Sequence, residues 1–282
     1  MELNQQLLNH LREIVRDRDP YLASAGHFFV QQYIRQQFMQ WGSVEIHTFT
    51  VNTQNFKNII LNLPPKPGIK KRDLPPILIG AHYDAIPGTV GADDNATGVA
   101  VLLELARIFA KLPTKYPIRF VAFDLEEYGL IGSTEYVRKL QQEGQRLRLM
   151  VSLEMLGYKD STPGSQSYPP PLERFYPDCG DYIALIGNLR TTGELFAMSR
   201  GFKQNDFPCQ LLPVPNNGKI VSSTRRSDHA PFWDAGYKAM MITDTSFMRN
   251  PHYHKPSDTI ETLDLDFLTG VCLGIEKGIR NL

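Results

Sequence analysis

The stretch LIGAHYDAIPGTVGADDNATGVAVLLELARIF, residues 78–109, joins an apolar strand to an apolar helix through a run of polar residues. Its first part belongs to a short apolar run at residues 77–81, which is typical of a buried strand. Its last part repeats apolar residues at helical spacing, namely Val99, Leu102, Leu103, Ala106 and Phe109. A buried strand followed by such a helix is a building unit of α/β proteins, so this stretch predicts that fold class.

The rest of the chain repeats this alternation of strand and helix. Two N-terminal helices are predicted at residues 3–17 and 24–41, within a helical segment at residues 1–42. Apolar, β-branched runs predict strands at residues 44–51, 58–63, 77–81, 118–123, 149–153, 182–186, 210–214 and 238–243. We therefore expect a single domain over residues 1–282, a three-layer α/β/α sandwich around a mixed, mostly parallel central sheet of about eight strands.

The overall composition restricts the classes of partner open to the chain. Its 282 residues are 42% hydrophobic, and its 30 basic residues balance its 30 acidic ones. A neutral chain provides no broad positive field for nucleic acid or an anionic membrane. No apolar run approaches the about 20 residues that cross a bilayer. We expect neither a nucleic-acid nor a membrane partner.

The N-terminal sequence and the cysteines bear on the cellular compartment. The segment MELNQQLLNHLREIVRDRD mixes apolar with charged residues and lacks the continuous apolar core of a signal peptide. Cys179, Cys209 and Cys272 are odd in number and share no short metal-binding spacing. We expect a cytoplasmic protein whose cysteines are reduced.

Polar side chains that suit metal binding follow four of the predicted strands. In an open α/β sheet, ligands bind beyond the carboxyl ends of the strands. The residues at these ends are His82 and Asp84, then Asp124, Glu126 and Glu127, then Glu154, and finally the loop NPHYHKPSDT at residues 250–259. Carboxylates drawn together from distant parts of a chain repel one another unless a cation compensates them, and mixed histidine and carboxylate ligation suits zinc. The sequence therefore predicts a zinc site at this edge of the sheet.

Spacing within these motifs separates the roles of neighbouring residues. Adjacent side chains at a strand end diverge, so Glu126 and Glu127 are expected to divide the work, one binding metal and the other carrying protons. His82 and Asp84 are two apart on an extended segment and point the same way. Asp84 can then accept a hydrogen bond from the imidazole nitrogen that does not bind metal.

Six motifs together carry a family resemblance. They are HYD from residue 82, GADDNATG from 91, DLEEYGLIGS from 124, SLEMLGY from 152, RRSDHAPFWDAG from 225 and HYHKPSDT from 252. In order and spacing they resemble the zinc peptidase family that contains the bacterial double-zinc aminopeptidases, glutamate carboxypeptidase and, more distantly, the glutaminyl cyclases. The resemblance runs from Phe56 to the C-terminus, and it implies a zinc-dependent activity on peptides.

The resemblance also implies a set of metal ligands. Asp94 would bridge two zinc ions. His82 and Glu154 would complete one site, and Glu127 and His254 would complete the other. The family usually carries Asp where this chain has Glu154, which is one methylene longer. The resemblance therefore implies one or two zinc ions rather than a fixed pair.

Other residues of the motifs match reacting groups of the family. Glu126 matches the general base, and Tyr253 matches a tyrosine that in some aminopeptidases donates a hydrogen bond to the developing oxyanion. His254 is preferred to His252 as the ligand because the family pattern places it just after a tyrosine and four residues before the Asp of SDT. The bridging Asp precedes a cis peptide in this family, so one is predicted between Asp94 and Asn95.

Several further residues are expected around the centre. Asp228 and His229 either begin a helix or support the metal ligands from behind. Arg225 and Arg226 are candidates for binding substrate. The insertion at residues 157–181, which includes STPGSQSYPPPLERFYPDCGD, is too long for a routine turn and is expected near the active site.

The favoured interpretation is a zinc-dependent aminopeptidase that hydrolyses N-terminal residues of peptides through a metal-activated water. A carboxypeptidase is the first alternative. The two activities differ in the terminus that the enzyme binds: carboxylates bind a free ammonium group, whereas arginine binds a terminal carboxylate. Candidates of both kinds are present: Asp93, Glu154 and Asp160 for the ammonium group, and Arg225, Arg226 and Arg249 for the carboxylate. Aminopeptidase is favoured because GADDNATG and SDHAPFW resemble that branch more closely.

Two more alternatives share the expected fold. A glutaminyl cyclase-like acyltransferase would work with a single zinc, and one ion does not need all five matching ligands. A non-catalytic binding module would be expected to lose ligands, yet only Glu154 departs from the pattern. The sequence assigns neither the preferred terminal residue nor the oligomeric state.

Overall fold

The computed structural model describes residues 2–68, 74–170 and 172–282. Within these ranges one sheet contains the strands β1 (Val44–Val51), β2 (Gln54–Leu63), β3 (Ile77–His82), β4 (Ile118–Phe123), β5 (Leu149–Glu154), β6 (Ile183–Asn188), β7 (Cys209–Val214) and β8 (Ala239–Thr243). The α-helices are α1 (Leu3–Ile14), α2 (Ser24–Met39), α3 (Gly98–Lys111), α4 (Ile131–Gln142), α5 (Thr192–Lys203), α6 (His229–Asp234) and α7 (Leu265–Arg280).

The strand order places the centre of the sheet at the predicted polar edge. The order is β1-β2-β4-β3-β5-β8-β6-β7. The four central strands β4, β3, β5 and β8 are parallel, whereas β2 pairs antiparallel with β1 and β4, and β6 pairs antiparallel with β8. The carboxyl ends of the four central strands therefore meet at one edge. In the sequence, polar residues follow these same four strands.

Helices cover both faces of the sheet. Alternate residues of a strand point to opposite faces. Ile77 and Ile79 belong to the buried cluster that includes residues of α1, α2, α3, α5 and α7, whereas Leu78 belongs to the cluster that includes residues of α4 and α6. Burying each such side chain contributes about 1.5–3 kcal/mol. The predicted three-layer α/β/α sandwich with a mixed, eight-stranded sheet is confirmed.

Two element boundaries, both in the N-terminal half of the chain, differ from the sequence prediction by three or more residues. The first helix ends at Ile14 rather than at residue 17, because the chain turns inward there to bury Arg18 completely. Strand β2 begins at Gln54 rather than at residue 58, because it pairs with β1 along its full length through a tight turn at Asn52 and Thr53, both with positive φ. This turn lacks the Asn-Gly or Asp-Gly pair that usually announces such a hairpin.

The predicted insertion packs against the loop that follows β8. Ser167 donates its backbone N–H to the carbonyl of Met248 (2.9 Å), and Gln166 accepts from Arg249 Nε (2.9 Å). In the described part of the chain, no helix has the length and apolar character needed to span a membrane. All three cysteines carry free thiols.

Candidate metal centre

The ends of β3 and β5 bring one group of possible ligands together. His82 is the last residue of β3, and its Nε2 lies 3.3 Å from Asp94 Oδ1. The same nitrogen lies 3.7 Å from Oε2 of Glu154, the last residue of β5. All three side chains are buried or nearly so. An imidazole and two carboxylates from three separate elements thus converge on one point.

A second group forms on the other side of Asp94. His254 Nε2 lies 3.2 Å from Asp94 Oδ2 and 3.3 Å from Glu127 Oε2. Each oxygen of the Asp94 carboxylate therefore faces a different imidazole. This is the arrangement expected of a carboxylate that bridges two cations.

The distances suit a metal ion better than they suit direct hydrogen bonds. Two ligand atoms that are each about 2.1 Å from a tetrahedral zinc ion lie about 3.4 Å apart. Among the described residues, neither ring nitrogen of His82 nor Nε2 of His254 makes a hydrogen bond of good geometry, although all three atoms are buried. Buried polar atoms without partners are costly, so the donor set fits zinc.

The electrostatics of the metal-free protein lead to the same conclusion. Burial, with the Asp94 charge beside it, raises the pKa of Glu127 to about 7. Burial opposes protonation of His254, but the neighbouring Asp94 and Glu127 carboxylates outweigh it and raise the pKa of this histidine to about 9. Protons therefore neutralise the cluster when no cation does.

Glu126 lies beside these groups without occupying the same position as Glu127. Its Oε2 is 4.0 Å from His82 Nε2, on the side of Glu154. Burial, together with the charges of Glu154 and Glu127, raises its pKa well above the ordinary value. The two neighbouring glutamates thus diverge as expected, Glu126 toward His82 and Glu127 toward His254.

Asp84 orients both the histidine and the two glutamates. Its Oδ1 lies 3.4 Å from His82 Nδ1, the nitrogen that faces away from Asp94. Its two oxygens also accept the backbone N–H groups of Glu126 and Glu127, each at 3.1 Å. One fully buried carboxylate therefore connects the end of β3 with the loop after β4.

The loop that carries Asp94 has an unusual backbone. The peptide bond between Asp94 and Asn95 is cis, as predicted, and the Asn95 side chain donates to the carbonyl of Leu153 (2.8 Å). Gly91 has a positive φ of 51°. A Cβ atom on Gly98 would lie 2.3 Å from Asn95 Oδ1, so only glycine permits this approach.

Two charged side chains outside the ligand set hold this loop in place. The Arg18 guanidinium, fully buried, donates to the carbonyls of Tyr83 (2.9 Å), Gly91 (2.8 Å) and Asp94 (3.2 Å). Asp258 accepts the backbone N–H groups of Asp93 (2.9 Å) and Asp94 (3.1 Å). The Asp94 backbone is therefore fixed through both its N–H and its carbonyl group.

A pair of serines accommodates the longer side chain of Glu154. Ser227 donates its hydroxyl to Glu154 Oε2 at 2.7 Å, and Ser152 Oγ lies 2.8 Å from Ser227 Oγ. All three residues are buried. The carboxylate that stands where the family usually has aspartate is thus held in a defined orientation toward His82.

Asp228 and His229 begin helix α6, as one interpretation of the sequence expected. Asp228 is fully buried near His82, and burial raises its pKa to about 7. His229 instead packs edge-on against Trp233, and its Nε2 lies 2.8 Å from the carbonyl of Thr224. Burial lowers the pKa of His229 to about 4, so it is neutral. Asp228 lies behind the ligands, whereas His229 supports the loop before α6.

The ligands open into a pocket of about 360 Å³ with a mainly apolar and aromatic lining. Tyr253 lies at its inner end, where its ring stacks on the His254 ring with centroids 3.7 Å apart. Burial raises the pKa of Tyr253, which keeps its hydroxyl protonated. The insertion contributes four lining residues, Tyr168, Pro169, Leu172 and Tyr176.

The structure separates the candidates for binding a free terminus. Of the three acidic candidates only Glu154 lines the pocket, because Asp93 is buried against Gly157 and Asn250 and Asp160 lies at the base of the insertion. Of the three arginines, Arg249 is likewise buried outside the pocket lining. Arg225 and Arg226 both line it, whereas Asp93, Asp160 and Arg249 do not.

Sequence patterns missed part of the supporting structure. Arg18 lies in the charged segment RDRD at residues 16–19, a pattern that is typical of a solvent-exposed surface. His27, in helix α2, pairs with buried Asp124 at 2.7 Å. Asp124 also accepts from Tyr83 Oη at 2.6 Å. These contacts depend on how helix α2 packs beside β4, and no motif in the sequence encodes that packing.

Comparisons with known proteins agree with this geometry. The sequence profile of Peptidase family M28 matches residues 58–273. Protein YfbL of Escherichia coli is 34% identical over 260 residues, which cover 86% of this chain and 77% of YfbL. Aminopeptidase YwaD of Bacillus subtilis is 32% identical over 231 residues, which cover 80% of this chain and 44% of YwaD.

A solved structure extends the comparison. BSAP, a zinc aminopeptidase from Bacillus subtilis, superposes with a TM-score of 0.62 at 27% identity and covers 81% of this chain. The match spans 50% of the BSAP chain. This chain therefore spans most of YfbL but half or less of the two aminopeptidases.

Proposed function

The chain belongs to peptidase family M28, and from that membership we propose that it is a zinc-dependent aminopeptidase that removes N-terminal residues from peptides. The observation that carries the proposal is the Asp94 carboxylate, whose two oxygens face the imidazoles of His82 and His254 at 3.3 and 3.2 Å. The relatives named as an aminopeptidase and as a zinc aminopeptidase support the choice of reaction and metal.

The proposed ligand sets follow the two halves of the cluster. His82, Asp94 and Glu154 would hold one ion. Asp94, Glu127 and His254 would hold the other. When bound, zinc would polarise the scissile carbonyl and lower the pKa of a water molecule toward neutrality. The remaining chemistry belongs to side chains of the protein.

Glu126 is the proposed proton carrier. It faces the pocket beside the ligands, and its Oε2 lies 4.0 Å from His82 Nε2, farther than the proposed ligands Asp94 (3.3 Å) and Glu154 (3.7 Å). It would accept a proton from the attacking water as the water oxygen bonds to the carbonyl carbon. It would then deliver that proton to the peptide nitrogen as the C–N bond breaks. A carboxyl group whose pKa is raised by burial suits both steps at neutral pH.

Tyr253 is the proposed oxyanion donor. Its ring is held against His254, which places a protonated hydroxyl at the inner end of the pocket. As negative charge develops on the former carbonyl oxygen, this hydroxyl would donate a hydrogen bond to it. Four acidic residues line the pocket around the histidines, namely Asp94, Glu126, Glu127 and Glu154, and their negative field would attract a substrate ammonium group.

The test is a defined peptide library incubated with zinc-loaded protein and analysed by mass spectrometry. The expected result is successive loss of residues from the amino end. Trimming from the carboxyl end would support a carboxypeptidase, and ammonia release from N-terminal glutamine without shortening would support a glutaminyl cyclase. Intact peptides after incubation with protein that retains zinc would support the non-catalytic binding module.

We also propose a cytoplasmic location, which the three free cysteines support because disulfides are rare in that compartment. Fractionation of cells that express the chain under its own promoter tests this directly. Recovery in the membrane or secreted fraction would contradict it.

A further inference from the structure

Arg226 is an unpaired cation in the wall of the proposed substrate pocket. Its Nη2 donates to Tyr253 Oη at 3.2 Å, and its guanidinium lies 5.1 Å from the centre of the Phe247 ring. No carboxylate of the described residues lies within ion-pair distance of it. A guanidinium group left with a phenol and an aromatic ring retains most of its capacity to bind an anion.

The neighbouring arginine does not have this freedom. Arg225 Nη2 lies 2.6 Å from Asp234 Oδ2, and its Nη1 donates to the carbonyl of Asn217 at 2.7 Å. Its charge is therefore neutralised by the fold. Among the described residues that line the pocket, Arg226 is the cation available to a ligand.

A single side chain, that of Tyr253, lies between Arg226 and the proposed metal ligand His254. Arg226 contacts the hydroxyl of Tyr253, the ring of Tyr253 stacks on that of His254, and His254 Nε2 lies 3.2 Å from Asp94 Oδ2. The Tyr253 hydroxyl is also the proposed partner of the scissile carbonyl oxygen. Arg226 is therefore placed beside the residue that follows the scissile bond.

The length of a peptide decides which groups can reach this position. In a dipeptide the carboxylate carbon is three bonds from the scissile carbonyl carbon, under about 4 Å away, and every added residue moves the carboxylate about 3.3–3.6 Å farther out. A guanidinium group next to the oxyanion donor can therefore contact the carboxylate of a dipeptide, whereas the carboxylate of a longer peptide lies beyond it.

We propose that Arg226 binds the C-terminal carboxylate of short peptides and makes dipeptides the preferred substrate class. The inference rests on the proposed aminopeptidase function and adds to it the length of the substrate. The mainly apolar lining of the pocket would hold the side chain of the N-terminal residue, and Arg226 would hold the opposite end. Arginine suits this role because its planar fork matches a carboxylate with two hydrogen bonds.

The experiment compares substrates that differ only at the carboxyl end. Zinc-loaded protein is assayed for kcat/KM on leucylglycine, leucylglycinamide and leucylglycylglycine. Native protein should prefer the dipeptide acid to its amide and to the tripeptide by roughly tenfold or more, which is the discrimination expected of a charge-assisted hydrogen-bonded pair. In R226Q this ratio of acid to amide should fall to near one, and in R226K it should be intermediate because lysine keeps the charge without the fork.

A matched control removes an arginine elsewhere. Arg146 is exposed in the loop before β5, at the edge of the sheet opposite the metal ligands, and R146Q should keep the native ratio. A second measurement uses E126Q to separate binding from turnover. In that variant, leucylglycine should bind roughly tenfold more tightly than its amide, and the added R226Q change should abolish the difference.

The outcomes distinguish this inference from the proposed function. A ratio near one in native protein, or a ratio unchanged in R226Q, would overturn the carboxylate role while leaving the aminopeptidase intact. An equal fall in kcat for acid and amide would assign Arg226 to support of Tyr253 instead. If no substrate is hydrolysed by zinc-loaded native protein, the proposed function itself fails, and this inference fails with it.

Discussion

At the scale of single residues, the central fact is that one carboxylate serves two histidines. Asp94 lies between His82 and His254, and the two histidines pull its pKa down despite its burial. The acids that face only one histidine, Glu127 and Glu154, have raised pKa values because burial dominates. The charge pattern thus singles out Asp94 as the permanently ionised member of the cluster.

The protonation of the cluster predicts a pH-dependent metal affinity. In metal-free protein the pKa of His254 is about 9 and that of Glu127 is about 7, so both groups carry protons near neutrality that a cation must displace. Zinc affinity should therefore rise as the pH increases from 6 to 8, by about tenfold per pH unit for the His254 proton throughout this range and for the Glu127 proton below about pH 7. Competition with a chromophoric chelator measures the affinity, and calorimetry in two buffers counts the protons. An affinity that does not change over this range would contradict the prediction.

Removal of the proposed proton carrier should separate metal binding from turnover. Glu126→Gln keeps the size and polarity of the side chain but cannot accept a proton. We expect kcat to fall by about 10²–10⁴-fold with zinc content unchanged, as measured by steady-state kinetics and elemental analysis. The matched change at exposed Glu143 should have no effect on either quantity. Near-native turnover in zinc-loaded Glu126→Gln would refute the assigned role.

At the scale of elements, the loop between β3 and α3 decides whether the ligands meet. It passes from the end of one strand, through a cis peptide, into the first turn of a helix. Hydrogen bonds from Arg18 and to Asp258, which lie far away in the sequence, hold its backbone in place. Helix α3 is buried along most of its length, so the loop has a rigid base. The ligands at the strand ends therefore depend on contacts that lie outside the metal centre.

The start of α3 provides one test of this dependence. Gly98→Ala would place a methyl group 2.3 Å from Asn95 Oδ1 and 2.8 Å from the Leu153 carbonyl, which forces the loop to move. We expect a loss of roughly 1–3 kcal/mol in the free energy of unfolding and a weaker zinc affinity. Gly193→Ala, in the first turn of α5, meets no atom within 4 Å and should be neutral or stabilising. Urea denaturation of both variants measures the free energy of unfolding, and zinc titration measures the zinc affinity. Equal effects would show that the approach at Gly98 is unimportant.

The segment between α1 and α2 provides a second test. Arg18→Met keeps an apolar stem but leaves the carbonyls of Tyr83, Val90, Gly91 and Asp94 without their shared donor. We expect the free energy of unfolding to fall by about 3 kcal/mol or more, because several buried acceptors lose a partner at once. Urea denaturation of metal-free protein measures it, and Arg12→Met on the exposed side of α1 is the control. A loss no larger than that of the control would remove Arg18 from the support of the loop.

At the scale of the whole molecule, metal binding and folding stability are linked. The proposed ligands come from the ends of β3 and β5 and from the loops after β3, β4 and β8, so an ion would join parts of the chain that are far apart in sequence. The acidic groups around the centre repel one another when no cation is present. The native state should therefore gain stability in proportion to the logarithm of the free zinc concentration.

Thermal unfolding measures this linkage. At a free zinc concentration of about 1,000 times Kd, the native state should gain about 4 kcal/mol relative to chelated protein. The gain should appear as a higher midpoint in calorimetry. Asp94→Asn should lose most of it, because both proposed ion sites share that carboxylate. A midpoint that is the same with zinc and with chelator would argue against a metal centre that spans these loops.

Local patterns in the sequence determined the element order and the positions of the chemically active residues. Alternation of apolar strands with periodic helices predicted the eight-stranded sandwich, because burial acts on every strand and helix through its own residues. Polar residues at the ends of the central strands likewise marked His82, Glu126 and Glu154, since parallel strands bring their carboxyl ends to one edge.

Only the tertiary structure decided which groups support the site and which remain available to a ligand. Arg18 binds backbone carbonyl groups. Every residue has such a group, so no pattern of residue types predicts which carbonyls Arg18 will contact. Arg225 and Arg226 are neighbours of the same type, yet only the path of the chain places Asp234 beside the first and leaves the second facing the pocket. Periodicity records which side of an element is buried, whereas partners across the fold depend on how the elements pack.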